Sequence, residues 1–374
     1  MARVFYLGAP SHVRLPNTAA ASDLLKATGN NTGNLLIGHA LKRQLKIDSY
    51  GSGMSADSKY VEENFDYIII GAANFLFKGF DLSYYADFLE RIHLPCVIIG
   101  LGAQAPSYED KLAIPEGSKR MMKIISERST TLGVRGHFTA SVLESLGITN
   151  VRVIGCPSMY WMCKSNIFIP RKPFDACKRI ALNGSANTVV HTVDVAAAEQ
   201  VESLLANLAL TNNFSYILQN EVVLMTILFG NGAKFEKGLI LALKKMYGLS
   251  DISDEDFIRF VKSNMLVFFN IEEWMNYIRS LDFVIGTRFH GCLIALLNEI
   301  PSVIFVIDAR TREMCELLKI PHVDIRNIKT IDLRLVYETM DLDGFQEAYA
   351  IQYQNYIDFL EENRIEHCLE RLTT

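Results

Sequence analysis

The 374-residue sequence has no paired cysteines at short spacing. Its seven cysteines, at 96, 156, 163, 177, 292, 315 and 368, are dispersed and lack the double spacing of a zinc site. An odd, scattered set in a chain this long reads as reduced thiols, and so as a cytoplasmic protein. Long apolar runs are also absent. The longest, Tyr67 to Phe77, is too short to cross a bilayer as a helix. The opening MARVFYLGAP has one arginine and a very short apolar run before Pro10, and is expected as a first strand and not a signal peptide. Peripheral contact with the inner face of a membrane stays open. There is no surplus of positive charge either: a net charge of -5 and a pI near 5.9 argue against a nucleic-acid binder, which would show a basic face.

What is present suits an ordinary globular enzyme, with 49% apolar and 21% charged residues. The length exceeds what one hydrophobic core usually serves, so two domains are expected. Apolar stretches bounded by glycine or proline predict strands at 3–7, 66–70, 95–100, 131–135 and 151–154, with helices between them. Residues 165–178, broken by Pro170 and Pro173, read as a linker, after which strands are expected at 179–183, 215–218, 266–269, 303–307 and 322–325. A helical insertion is predicted over 221–262, split near 230–234 and 250–254, with Ser253 and Asp256 as a capping pair. The segment 9–33 reads mostly as loop, and 343–372 as one long terminal helix with an apolar stripe that braces the first domain.

The stretch DFVIGTRFHGCLIALLNEIPSVIFVID, residues 282–308, parses as strand, tight turn, helix and strand. Its turn carries Arg288 and His290, and Gly291 opens the helix. Ligands of open α/β sheets bind outside the carboxyl ends of the strands, and a helix N-terminus there suits an anion such as phosphate. Arg135, in VRGH, stands in the same setting at the end of another strand. Two such arginines, one from each half, would grip a small dianion or a carboxylate plus a phosphate. Arg310, where the next strand gives way to a helix, is a further candidate. Cys156 reads as packing.

The runs GTRFHGCLIALLNEIP with IFVIDARTREMCELLKIP, and LGVRGHFTASVLESLGITNVRVIGCPSMYW, resemble the signatures of the polysaccharide pyruvyl transferase family. NNTGN resembles the family's Asn-x-Gly-Asp turn, with Asn34 in place of Asp, and GLGAQAP its Gly-x-Gly-x-x-Pro segment. The resemblance implies two Rossmann-like α/β lobes in a glycosyltransferase-B-like arrangement, expected at 1–170 and 178–330, with 331–374 as bracing helices. It implies transfer of the pyruvyl group of phosphoenolpyruvate to two hydroxyls of one sugar, forming a cyclic ketal of a surface polysaccharide or its precursor. His290 and Arg288 are then the expected catalytic residues, and Arg135, Arg288, Gly291 and Arg310 the donor-binding ones. Asn31, Asn34, Asn74 and Gln104 are weaker candidates for acceptor or loop contacts. No metal and no cofactor are expected beyond phosphoenolpyruvate as co-substrate; the acceptor's linkage to lipid and the oligomeric state stay open. Two other readings remain: a nucleotide-sugar glycosyltransferase of the same fold, and a non-catalytic polysaccharide-assembly protein.

Overall fold

The computed structural model describes residues 2–16, 18–184, 191–230 and 235–371. The first lobe is built on β1 (Ala2–Gly8), β2 (Ile47–Ser52), β3 (Tyr67–Gly71), β4 (Cys96–Ile99), β5 (Leu132–Val134) and β6 (Val151–Val153). β1 to β4 form a parallel sheet in the order β2-β1-β3-β4, and β5 pairs in parallel with β6. A parallel bridge from Leu101 to Val134 and the N–H groups of Gly100 and Leu101, both donating to Gly133 O, carry the sheet from β4 into β5. The second lobe has β7 (Ile180–Asn183), β8 (Ser215–Leu218), β9 (Met265–Val267), β10 (Phe283–Gly286), β11 (Ser302–Val306) and β12 (His322–Asp324), all parallel, in the order β9-β8-β7-β10-β11-β12. Strands buried on both faces read as continuous apolar runs, which is why Ile68 to Ile70 and Phe283 to Ile285 were visible in the sequence.

The order of the second sheet reverses between β7 and β10, and crevices at such switch points hold ligands. Two Rossmann-like sheets whose strand ends meet across a lobe boundary make this a glycosyltransferase-B-like architecture. The helices that matter for the boundary are α1 (Gly33–Gln44), α2 (His137–Ser145), α3 (Val222–Phe229), α4 (Phe289–Leu297), α5 (Ala309–Leu317) and α6 (Leu342–Glu362).

The expected helical insertion appears as α3 followed by helices Lys237–Met246 and Asp254–Asn264. Its first break, 231–234, lies outside the described residues. Ser253 caps as expected, its Oγ accepting from Asp256 N at 3.0 Å. Two expectations need correction. The segment 9–33 contains a helix, Ala21–Ala27, whose Leu24 and Leu25 bury an apolar face that its short length concealed. The terminal helix stops at Glu362, not 372, because Arg364 takes a left-handed φ of 57° and the chain returns as an extended segment, bridging His367 to Leu45.

The core is not divided by lobe. One face of the first sheet, α1, α6 and the whole second sheet share a continuous apolar cluster, while the other face of the first sheet has its own. Tyr349, Tyr353, Tyr356, Ile357 and Leu360 of α6 are fully buried in the shared cluster. Polar ties fix α6 to the first lobe: Tyr356 donates to Gln44 Oε1 at 2.8 Å, and Asn363 Oδ1 accepts from Thr130 N and Thr131 N at 3.1 and 3.2 Å.

Candidate functional site

At the switch point of the second sheet, Asn183 and Thr287 stand side by side at the ends of β7 and β10. Asn183 Oδ1 accepts from Arg288 N at 3.0 Å, and Thr287 donates to Glu202 Oε1 at 3.0 Å, so the turn is pinned by buried side chains. The guanidinium of Arg288 turns back into its own lobe. Its Nε donates to Gly184 O at 2.8 Å, and its Nη2 donates to Asn220 Oδ1 and to the Glu221 carboxylate. Glu221 also accepts from Gln219 N and Asn220 N at 2.8 and 3.0 Å. The two side chains are only 7% and 3% exposed, so this is a buried, fully matched ion pair. The expected joint grip by Arg288 and Arg135 is not formed here, because the charge of Arg288 is already neutralised.

Arg135 differs. Its backbone N–H donates to Leu101 O at the carboxyl edge of the first sheet, and the side chain is 1% exposed. Nε donates to Gly100 O at 2.9 Å, Nη1 to Asn74 Oδ1 at 2.8 Å and Nη2 to Ala72 O at 3.3 Å. All three partners are uncharged, and among the described residues Arg135 forms no ion pair. Burial pulls its proton affinity below the ordinary guanidinium value, opposed by Cys156 and reinforced by Arg310.

His290, on the first turn of α4, crosses the boundary to this group. Its Nε2 lies 3.7 Å from Cys156 Sγ, and that sulfur accepts from Ser158 Oγ at 2.9 Å. Burial, then Arg135, then Arg310 push the imidazole well below its ordinary pKa, so His290 is neutral near pH 7. The first turn of α1 closes on it from the other lobe. A Cβ on Gly33 would stand 3.0 Å from His290 Nδ1 and 2.8 Å from Gln219 Oε1, so only glycine permits this approach. Gly291 is needed for packing in the same way: a Cβ there would sit 2.6 Å from Gln219 Nε2. Among the described residues, the buried Gln219 Nε2 and Thr32 Oγ1 beside this junction have no hydrogen-bond partner.

On the third side stands α5. Arg310 pairs with Asp308 at 3.4 Å, while its buried Nε has no partner among the described residues. Glu313, 3% exposed, binds the first lobe: it accepts from Thr139 N at 3.0 Å and Thr139 Oγ1 at 2.7 Å. Burial raises its carboxyl to about 7, against the lowering effect of the Thr139 bonds and Arg135. Gly136 allows the contact, since a Cβ there would fall 2.5 Å from Glu313 Oε2.

The structure therefore brings Arg135, His290 and Arg310 together and leaves Arg288 and Gly291 supporting them from behind. Of the weaker candidates, Asn74 is a direct partner of Arg135. Asn31 Oδ1 accepts from Gly33 N at 2.8 Å, shaping the turn before α1. Asn34 Nδ2 donates to Thr28 O and Gly29 O at 3.1 and 3.2 Å, a bond pair that an aspartate could not make. Gln104 is half-buried, its backbone N–H donating to Leu76 O. Sequence reasoning missed Glu313, Gln219 and the contact of Cys156 with His290. Only the position of Glu313, one turn beyond Arg310 on α5, offered a signal for any of them.

Among the described residues no group of three His, Cys, Asp or Glu side chains is arranged to hold a metal ion, and no helix is long and apolar enough to cross a membrane. No curated protein matches the sequence. Solved structures of similar outline include S. aureus MnaA with UDP (TM-score 0.46, 10% identity, covering 98% of this chain and 100% of that one). UDP-N-acetylglucosamine 2-epimerase from Rickettsia bellii gives 0.47 and 12%, covering 97% and 96%. Anabaena HepE with UDP and glucose gives 0.42 and 9%, covering 97% and 96%. The sequence family described as polysaccharide pyruvyl transferase matches residues 31–308.

Proposed function

The chain belongs to the polysaccharide pyruvyl transferase family, and we propose that it transfers the pyruvyl group of phosphoenolpyruvate to two hydroxyls of one sugar, as a cyclic ketal. It is a transferase with a saccharide acceptor; the donor and the ketal are the part proposed. The observation that carries the reading is Arg135: a buried guanidinium hydrogen-bonded to three neutral oxygens and in no ion pair among the described residues, beside Arg310 and a neutral imidazole, at a boundary between strand ends. Keeping a buried cation outside an ion pair costs several kcal/mol, and a bound polyanion offsets that cost.

Phosphoenolpyruvate carries a carboxylate and a phosphate on an enol carbon. Arg135 and Arg310, with the uncapped first turn of α4, would take these charges. The His290 imidazole takes the proton of a sugar hydroxyl as its oxygen bonds to C2 of the donor and supplies one proton to C3, which becomes a methyl group, so the two transfers at the imidazole cancel. Phosphate then leaves C2 with its electron pair, and the second hydroxyl bonds in its place. The second hydroxyl's proton leaves with phosphate, so the atoms balance. A trianion beside His290 raises its proton affinity, which lets the same imidazole hold a proton during turnover.

The test is to incubate pure protein with phosphoenolpyruvate and a panel of glycosides, measuring phosphate release and the mass of the product. Release coupled to a pyruvyl mass gain is expected. Stabilisation by a nucleoside diphosphate, with no response to phosphoenolpyruvate, would overturn the reading in favour of glycosyl transfer.

A further inference from the structure

Two ionisable groups at the lobe boundary have no part in the chemistry above, Glu313 and Cys156. Both oxygens of Glu313 are occupied by Thr139. Cys156 is aimed at the site. Its sulfur accepts from Ser158 Oγ at 2.9 Å, lies 3.7 Å from His290 Nε2, and neighbours the Arg135 guanidinium. The residue is fully buried at the turn after β6, so donor and acceptor do not reach it directly. At the helix turn of His290 and Gly291, Gln219, 1% exposed, brings up an Nε2 that has no hydrogen-bond partner among the described residues.

We propose that Cys156 is the proton reservoir of His290, a positioning residue that acts through the imidazole. The inference rests on the reading that a small polyanion binds beside His290. Pyruvyl transfer asks the site both to take a proton from oxygen and to deliver one to carbon. A histidine between two arginines is well suited to the first task and poorly to the second. When the anion arrives, the S–H bond of Cys156 breaks and an N–H bond forms at Nε2, leaving a thiolate beside Arg135 and an imidazolium beside the anion, which gives its proton to C3 and takes the sugar hydroxyl's in return. When the anion departs the proton returns, so no oxidant, reductant or further reactant is needed. The charged and titratable groups facing the pair are Arg135 from the first lobe, Arg310 from α5, and the buried phenols of Tyr160 and Tyr356. The only anion that the pair itself creates therefore sits against the Arg135 cation.

The experiment compares wild type with Cys156→Ser and Cys156→Asp. Serine keeps the size and a hydroxyl but holds its proton too tightly to share. Expected for Cys156→Ser is a fall in kcat of on the order of ten- to a hundredfold with donor KM little changed, and an alkaline limb of the pH profile moved to lower pH. Cys156→Asp, whose carboxylate helps the imidazole hold its proton, restores the limb and most of the rate. In wild type, adding phosphoenolpyruvate or inorganic phosphate should raise the far-ultraviolet thiolate absorbance, a reading that stands even if a variant fails to fold. A serine variant with wild-type kcat and pH profile, or no thiolate band with either anion, overturns the proposal. If wild type releases no phosphate from phosphoenolpyruvate yet shows the band with inorganic phosphate, the reaction assignment fails and the reservoir stands.

Discussion

Arg135 and Arg288 occupy equivalent places, each just past the end of a buried parallel strand and just before a helix, one in each lobe. Their surroundings are opposite. Arg288 is locked to Glu221, while Arg135 is buried against two carbonyls and an amide. A matched buried pair adds rigidity and contributes no net charge to a ligand. An unmatched guanidinium is poised for an anion. The same residue type at the same kind of junction thus serves as scaffold in one lobe and as a candidate binding group in the other, and the counter-charge decides which.

Five variants would break or sharpen this contrast. The largest effect is expected for Arg135→Met: loss of stabilisation by phosphoenolpyruvate in a thermal melt, and a drop in kcat/KM on the order of a thousandfold. A kcat/KM near wild type would mean that Arg135 is scaffold too. Next, Glu221→Gln leaves Arg288 as the uncompensated buried charge and should lower folding stability by about 3 kcal/mol in urea titrations. The double replacement Arg288→Met with Glu221→Leu should recover much of that stability; no recovery would show that the pair does more than neutralise itself.

Glu313, the carboxyl that joins the lobes beside Arg135, predicts a pH effect. Its folded value is raised from 4.5 to about 7, so its favourable contribution is complete below about pH 4.5 and is lost as the pH climbs to about 7. Glu313→Gln should remove that slope, worth roughly 2–3 kcal/mol across the window, from the stability profile of the protein. An unchanged slope would place the titration elsewhere. The smallest effect belongs to Asn34→Asp, which loses two donated bonds to Thr28 and Gly29 carbonyls. About 1 kcal/mol of stability should go with activity intact; reduced turnover at full stability would return Asn34 to the acceptor site.

Except for β2, whose IDSYGS is polar and largely exposed, the sequence made these strands and their order of appearance legible because buried parallel strands are apolar on both faces, and made the strand-end positions of Arg135, His290 and Arg310 legible with them. It could not show which arginine was free. Glu221 and Arg288 are far apart in the chain, and a buried acidic residue looks the same in a sequence as an exposed one. Glu313 and Gln219 were hidden for the same reason, since each acts only through contacts made when the lobes close. The helix Ala21–Ala27 was too short for its period to stand out, and the early end of α6 depended on one left-handed residue, Arg364. Cys156 reads as packing in the sequence because a lone thiol carries no local mark of the imidazole that lies beside it.

The return of α6 to the first lobe also sets an order of assembly. A ribosome that has delivered β1 to β6 still holds back the helix that covers them and supplies the phenol for Gln44 and the carboxamide for Thr130 and Thr131. The lobe translated first is therefore completed last, and the crevice cannot take its final shape until the tail of the chain has been released.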